Sequence, residues 1–61
     1  MDRKWKMMWA LANEMWGRDL ADELLHYFAA LNFGKVSLRE LTEEEVGTTL
    51  HWLKETLGKS N

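Results

Sequence analysis

The sequence contains no cysteine, no proline and only four glycines among its 61 residues. Without cysteine, the chain has no disulfide, no thiolate-bound zinc or iron–sulfur cluster, and no thiol nucleophile. No stretch approaches the roughly 18 uncharged apolar residues of a membrane span. Met1 leads directly into charged residues rather than into the apolar run of a signal peptide. These absences predict an ordered helical domain in the cytoplasm, with no membrane partner.

Hydrophobic residues make up 46% of the chain and charged residues 30%, which is typical of a folded domain rather than a disordered segment. Eight basic and ten acidic side chains give a formal charge of −2. This balance argues against a protein that coats nucleic acid by charge alone. A chain this short forms one domain and buries only about 60% of its unfolded surface. We therefore expect a single domain over residues 1–61.

Three apolar patterns with a helical period predict three helices. Helix 1 is predicted over 3–16, helix 2 over 20–32 and helix 3 over 43–57, with a short helical turn over 37–41. Each apolar face can be buried only against the other two helices. The fold class is therefore predicted to be all-α, a compact three-helix domain with a short helical turn in the second connection.

Each predicted helix carries an apolar face that we assign to the core. Helix 1 gathers its apolar side chains into an arc of roughly 200°. Helices 2 and 3 carry narrower stripes in which large apolar residues recur every three or four positions. The predicted core residues are Trp5, Met7, Met8, Trp9, Leu11, Ala12, Met15 and Trp16 of helix 1, Leu20, Leu24, Tyr27, Phe28 and Leu31 of helix 2, and Val46, Leu50, Leu53 and Leu57 of helix 3.

Glycines and capping residues predict where the helices begin and end. Glycine tolerates the positive φ that terminates a helix, and the three glycines in such positions are Gly17, Gly34 and Gly58. Asp19 is predicted to cap helix 2. Two capping boxes, Ser37–Glu40 and Thr42–Glu45, predict reciprocal side-chain bonds to backbone amides at the start of the short turn and of helix 3.

Tryptophan is the residue in clearest excess, and the candidate partner-binding residues are Trp5, Trp9, Trp16 and Trp52. The first three lie along one edge of the helix 1 arc. There they pack in the core, face a partner or second copy, or adsorb to a membrane surface. Trp52 lies about 120° from the helix 3 stripe. It either covers Leu38 or Leu41 or anchors a partner, and Gly47 beside it predicts a close helix or backbone approach.

The remaining polar residues predict no catalytic chemistry. Three short helices enclose almost no cleft, so we expect no enzyme, no catalytic residues, no small-molecule substrate and no cofactor. His26 and His51 lie on different helices without a third ligand, which predicts surface histidines and no metal site. Arg18, Lys35 and Arg39 all lie in predicted connections, and they are the candidate residues for a weak contact with nucleic-acid phosphates.

Five segments of the chain resemble a known phage family. They are WALANE at 9–14, LLH at 24–26, GKVSLRELT at 34–42, EE at 44–45 and LHWL at 50–53. This order is similar to the helical module of the phage Mu-type GemA regulatory family, and similar modules occur in phage single-strand annealing proteins. The likeness spans about residues 8–53, and its motifs consist mostly of capping and core residues.

The resemblance implies a mobile-element protein that works near DNA or near DNA-handling proteins, and it carries over no catalytic residue. From it we expect a non-enzymatic regulatory or interaction module that acts through protein–protein contacts or self-association in a DNA-associated setting. The alternative is a weak, direct nucleic-acid-binding module that uses Arg18, Lys35 and Arg39. A protein-contact module would use the tryptophans instead.

Overall fold

A computed structural model of the chain describes residues 2–59. The chain forms three α-helices and a one-turn 3₁₀ helix, and no strand occurs within those residues. The elements are α1 (Asp2–Trp16), α2 (Arg18–Phe33), the 3₁₀ turn (Leu38–Glu40) and α3 (Glu43–Lys59). The predicted all-α fold, with a short helical turn in the second connection, is confirmed.

The core lies between α1 and the other two helices. α1 packs extensively against both α2 and α3, whereas α2 and α3 meet over a smaller area. Leu38 of the 3₁₀ turn and Leu41, which follows it, are buried with the helical residues. The buried hydrophobic residues are Met8, Ala12, Ala21, Leu25, Ala29, Leu38, Leu41, Val46, Leu50 and Leu53.

α3 buries the face that its periodicity predicts. Val46 and Leu53 are fully enclosed, Leu50 is buried, and Leu57 is half-buried. Thr49 lies on the same face, and its hydroxyl donates a 2.9 Å hydrogen bond to the Glu45 carbonyl one turn earlier. That bond satisfies the buried hydroxyl within the helix itself, so a polar residue is tolerated in the core.

α2 does not bury the predicted stripe. Its enclosed residues are Ala21, Leu25 and Ala29, whereas Leu24 and Phe28 are only half-buried. The predicted core residues of α2 that the structure instead exposes are Leu20, Tyr27 and Leu31, and on α1 the predicted core residue Met7 is exposed as well. The prediction is wrong because it weighted side-chain size. Two of the three enclosed residues of α2 are alanines, and small side chains permit a closer approach to a packed helix than large ones do.

A single residue, Gly17, joins α1 to α2. Its N–H donates to the Asn13 carbonyl at 2.8 Å, and its own carbonyl accepts from the Ala21 N–H at 2.9 Å. Its φ of 85° and ψ of 164° lie in a region that is almost restricted to glycine. α1 ends as predicted, but α2 begins at Arg18, so the prediction that Asp19 is the cap is wrong. Asp19 lies in the first turn.

The second connection begins at Gly34, which has the left-handed φ of 66° and ψ of 28° expected of a helix C-terminus. The Gly34 N–H donates to the Ala30 carbonyl at 3.1 Å and the Lys35 N–H to the Ala29 carbonyl at 3.3 Å. Ser37 precedes the 3₁₀ turn without a side-chain cap bond, so the first predicted capping box is wrong.

The second capping box forms as predicted. The Glu45 N–H donates to Thr42 Oγ1 at 3.2 Å, and the Thr42 N–H donates to Glu45 Oε1 at 2.9 Å. α3 then continues through Gly58 to Lys59, beyond the predicted end. A Cβ placed on Gly47 would meet the Lys4 ammonium nitrogen at 4.0 Å. The neighbour is thus a flexible side-chain end, and the predicted close helix or backbone approach is wrong.

Candidate protein-interaction site

The most prominent surface feature is a row of large apolar side chains along α2. Leu20 is 44% exposed, Tyr27 63% and Leu31 66%. Leu24 lies between them on the same side of the helix and is half-buried. We call these four residues the α2 stripe. An isolated exposed leucine is ordinary, but several on one face of one helix mark an interaction surface.

The α2 stripe has the spacing of a coiled-coil seam. Its members are separated by four, three and four residues, which corresponds to successive d, a, d and a positions of a heptad. A strict a and d seam is narrower than the face a helix buries in a globular core. α2 has two apolar faces. The face formed by Ala21, Leu25 and Ala29 is buried, and the α2 stripe is largely exposed to solvent.

The acidic side chains of α2 are confined to its amino-terminal end, and of these only Glu23 lies beside the α2 stripe. Asp19, Asp22 and Glu23 lie in the first two turns and are exposed. From His26 to Phe33, the helix contains no acidic and no lysine or arginine side chain. The surface is therefore acidic at its amino-terminal end and nearly neutral over the rest of its length.

The four tryptophans are half-buried and pack against the core. The rings of Trp5 and Trp9 meet edge to face, with their centroids 6.4 Å apart. Trp52 stacks on Phe28 at 4.1 Å with an interplanar angle of 16°, and it also lies 5.6 Å from Trp16. The contacts of Trp52 join all three helices, whereas the Trp5–Trp9 pair lies within α1. The role of the tryptophans in binding a partner stays a prediction.

The three candidate phosphate contacts lie in different surroundings. Lys35 is half-buried, and its Nζ donates to Glu45 Oε1 at 2.6 Å and to the Glu40 carbonyl at 3.0 Å. Arg39 is exposed in the 3₁₀ turn, and Arg18 is exposed at the first residue of α2. Because α2 separates Arg18 from Lys35, the two lie roughly 24 Å apart along the helix axis. They do not form one basic patch.

Glu45 completes a network that fixes the start of α3. The hydrogen bond from the Lys35 ammonium, followed by the one from the Thr42 backbone, lowers the pKa of the Glu45 carboxyl below its usual range. A carboxylate that stays charged keeps both donors paired. Lys35 therefore contributes to the second connection, where it neutralises Glu45, and it does not present a free positive charge.

An open groove lies between α1 and the beginning of α2. Trp9 and Asn13 form its α1 wall, and Arg18, Asp19 and Asp22 line the α2 side. Among these five lining residues, Asp19 and Asp22 are acidic and Arg18 alone is basic. The local charge is therefore acidic, which disfavours a phosphate-bearing ligand at Arg18.

The histidines lie beside carbonyl or carboxylate oxygens of their own helices. His26 Nδ1 is 2.7 Å from the Asp22 carbonyl, and His51 Nε2 is 2.9 Å from Glu55 Oε1. Both histidines are substantially exposed. In the part of the chain that the structure describes, no group of three His, Asp or Glu side chains could hold a metal ion. No helix within residues 2–59 is both long and apolar enough to cross a membrane.

The α2 stripe is the surface that reasoning from the sequence assigned to the core. Its signal is visible in the sequence: Leu20, Leu24, Tyr27 and Leu31 follow heptad spacing, and Ala21, Leu25 and Ala29 form a second apolar face about 130° away. A helix with two such faces, in a chain with only two other helices, has more apolar surface than its own core requires.

Comparisons with protein-family models, with curated proteins and with solved structures give no match for this chain. The GemA-type resemblance therefore stays a prediction.

Proposed function

We propose that this chain is a non-enzymatic protein-interaction module that receives a helix of its partner on the α2 stripe. The observation that carries the proposal is the exposure of Leu20, Tyr27 and Leu31 on a helix that already buries a second apolar face, formed by Ala21, Leu25 and Ala29. In water, this apolar area is stabilised when it is covered. The DNA-associated phage regulatory setting that the resemblance implies is part of the same proposal.

A helical partner fits the stripe better than an extended peptide. Side chains at d, a, d and a positions insert as knobs between the side chains of a facing helix. An extended segment would instead need an open strand edge, and no strand occurs within residues 2–59. Tyr27 adds a hydroxyl to the middle of the stripe, which suits an interface that is apolar at its centre and wet at its rim.

The charges favour a protein partner over a phosphate-bearing surface. Asp19, Asp22 and Glu23 outnumber Arg18 at the amino-terminal end of α2, and this excess of negative charge disfavours nucleic-acid or anionic-lipid phosphates. Lys35, one of the three residues proposed to contact phosphates, is already paired with Glu45. Direct nucleic-acid binding is therefore the weaker proposal.

A photo-crosslinking amino acid in place of Tyr27 tests the proposed function in cells that express the chain. The proposal expects a discrete protein adduct whose crosslinked residue, identified by mass spectrometry, lies in a helix. Replacing Leu31 with serine should remove that adduct, since it deletes apolar area from the stripe without touching the core. The matched control places the crosslinker at His51, which is 75% exposed on α3. Equal adduct yields at the two positions would contradict the proposal.

A further inference from the structure

We propose that the helix received by the α2 stripe is the α2 stripe of a second copy of this chain, packed antiparallel about a two-fold axis. This inference rests on the proposed function and names its partner. Two observations carry it: the spacing of the stripe reads the same in both directions, and the charges of α2 are segregated to one end.

The spacing makes the stripe complementary to itself. Reversing a pattern of four, three and four residues returns the same pattern. An antiparallel copy therefore places Leu20 against Leu31 of the second copy and Leu24 against Tyr27. Each layer pairs a d position with an a position, which is the arrangement of antiparallel helix pairs. The two-fold axis passes between residues 25 and 26, and every contact is made twice, as in an isologous dimer.

The charges select the antiparallel orientation. A parallel pair would bring two acidic ends together, each with Asp19, Asp22 and Glu23 against the single cation Arg18. In an antiparallel pair, each acidic end lies beside the partner's turns from His26 to Phe33, which contain no acidic side chain. Glu23 then flanks the seam opposite Ala30 of the second copy, where the small side chain leaves room for the carboxylate. Opposed helix dipoles also favour this arrangement.

Four side chains from each copy form a small interface. Stable dimers commonly bury about 800 Å² or more on each subunit, and a single pair of short helices buries less. We therefore expect a reversible dimer that forms at high micromolar concentration, in which the pairing responds to the local concentration of the chain.

The absence of cysteine allows a direct test of orientation. Glu23→Cys and Ala30→Cys are prepared as separate single variants, both at exposed positions that leave the stripe intact. In an equimolar mixture under a glutathione redox buffer, antiparallel pairing expects the mixed 23-to-30 disulfide in clear excess over both symmetric disulfides. Two residues 23 would lie about 7.5 Å apart along the axis and two residues 30 about 13.5 Å, both beyond the Cα–Cα separation of a disulfide. A statistical mixture would overturn the antiparallel dimer.

Sedimentation equilibrium of the unmodified chain and of Tyr27→Lys tests the seam. The lysine follows Glu23 by one turn, which favours the helix, and the two-fold axis brings two such charges together at the centre of the dimer. We expect the dissociation constant to rise at least about tenfold, with helicity retained. His51→Lys makes the same chemical change on exposed α3 and should dimerise as the unmodified chain does. Equal dimerisation of Tyr27→Lys would reject the seam.

The two proposals fail in different ways. If the purified chain stays monomeric to millimolar concentration while the crosslinker at Tyr27 captures a helix of another protein, self-pairing is rejected and the interaction module stands. If the chain is monomeric and the crosslinker captures no protein helix, both are rejected. A crosslink from Tyr27 to another copy, together with the mixed disulfide, supports both.

Discussion

α2 and α3 carry the same pattern of large apolar residues and use it in opposite ways. In α3 the stripe from Val46 to Leu57 forms one wall of the core, with Val46, Leu50 and Leu53 buried. In α2 the stripe from Leu20 to Leu31 has the same spacing and lies largely at the surface. The difference arises because α2 offers α1 a second face of Ala21, Leu25 and Ala29.

This comparison shows that periodicity identifies an apolar face without identifying what covers it. A face of small residues permits a closer helix approach than a face of leucines. Such a face can therefore be the one that packs against a neighbouring helix, although it is less hydrophobic. The leucine face is then left for another molecule. In the proposed function the exposed large side chains of α2 contribute to association, whereas the buried ones of α3 contribute to folding.

The largest expected effect is the loss of a core leucine from α3. Leu53→Ala should lower the free energy of unfolding by about 2–5 kcal/mol, because it leaves a cavity at a fully buried position. Leu31→Ala removes the same atoms from the corresponding stripe of α2 and should change it by less than about 0.5 kcal/mol. Urea titrations of dilute protein measure both. Equal losses would break the distinction between the two stripes.

Trp52 tests the contact between α2 and α3. Trp52→Ala should cost about 2 kcal/mol, since it removes a half-buried ring that stacks on Phe28 and touches Trp16. Trp52→Phe keeps a ring at the stack and should recover at least half of that loss. If the urea midpoint of Trp52→Ala matches the unmodified chain, the ring contacts carry little stability, and Trp52 belongs with the partner-binding residues.

The small face of α2 gives the next effect. Ala29→Leu should destabilise the domain by about 1–3 kcal/mol, because the added atoms have no space between α2 and α1. Ala30→Leu, one position along at the surface, should be nearly neutral. Thermal melts followed by circular dichroism compare the two variants. If Ala29→Leu leaves the melting temperature unchanged, a close approach of α2 to the core is not the reason that these alanines are buried.

Gly47 should respond in the opposite direction. Gly47→Ala should stabilise α3 by up to about 1 kcal/mol, because alanine favours the helix and its Cβ meets only a flexible lysine end at 4.0 Å. Gly17→Ala also has open space around its Cβ but must adopt a φ of 85°. It should therefore destabilise by about 1–3 kcal/mol. Urea unfolding measures the stability of both variants. A destabilised Gly47→Ala would contradict the open space that this fold has beside Gly47.

The smallest expected effect concerns how α3 and α2 begin. α3 begins with a side-chain network at Glu45, whereas Gly17 at the start of α2 makes no side-chain cap bond. The pKa of Glu45 is lowered by Lys35, so its contribution is present above the ordinary carboxyl pKa and is lost as pH falls through the lowered value. Glu45→Gln should flatten the acid limb of stability against pH, and Lys35→Met should also flatten it. An unchanged limb in both would contradict this network.

Local features of the sequence determined the helices and most of their ends. Three periodic patterns fix their number, Gly17 and Gly34 supply the positive φ that ends the first two, and Thr42 with Glu45 supplies the cap of the third. Such signals act over one turn of chain, so they can be recognised without the tertiary structure. The core face of α3 was predictable for the same reason, since it has only one apolar stripe.

What the tertiary structure decided is which of two apolar faces α2 buries and which basic residues remain free. Both depend on residues distant in the chain. Ala21 and Ala29 are enclosed because α2 packs against α1 in the core, and Lys35 is neutralised because the fold brings Glu45 within 2.6 Å. Periodicity measures the angular distribution of side chains on one helix, whereas burial is set by the fit between helices. The sequence pattern therefore assigned the candidate interaction surface to the core, and only the packing of α1 against α2 shows that this surface is exposed.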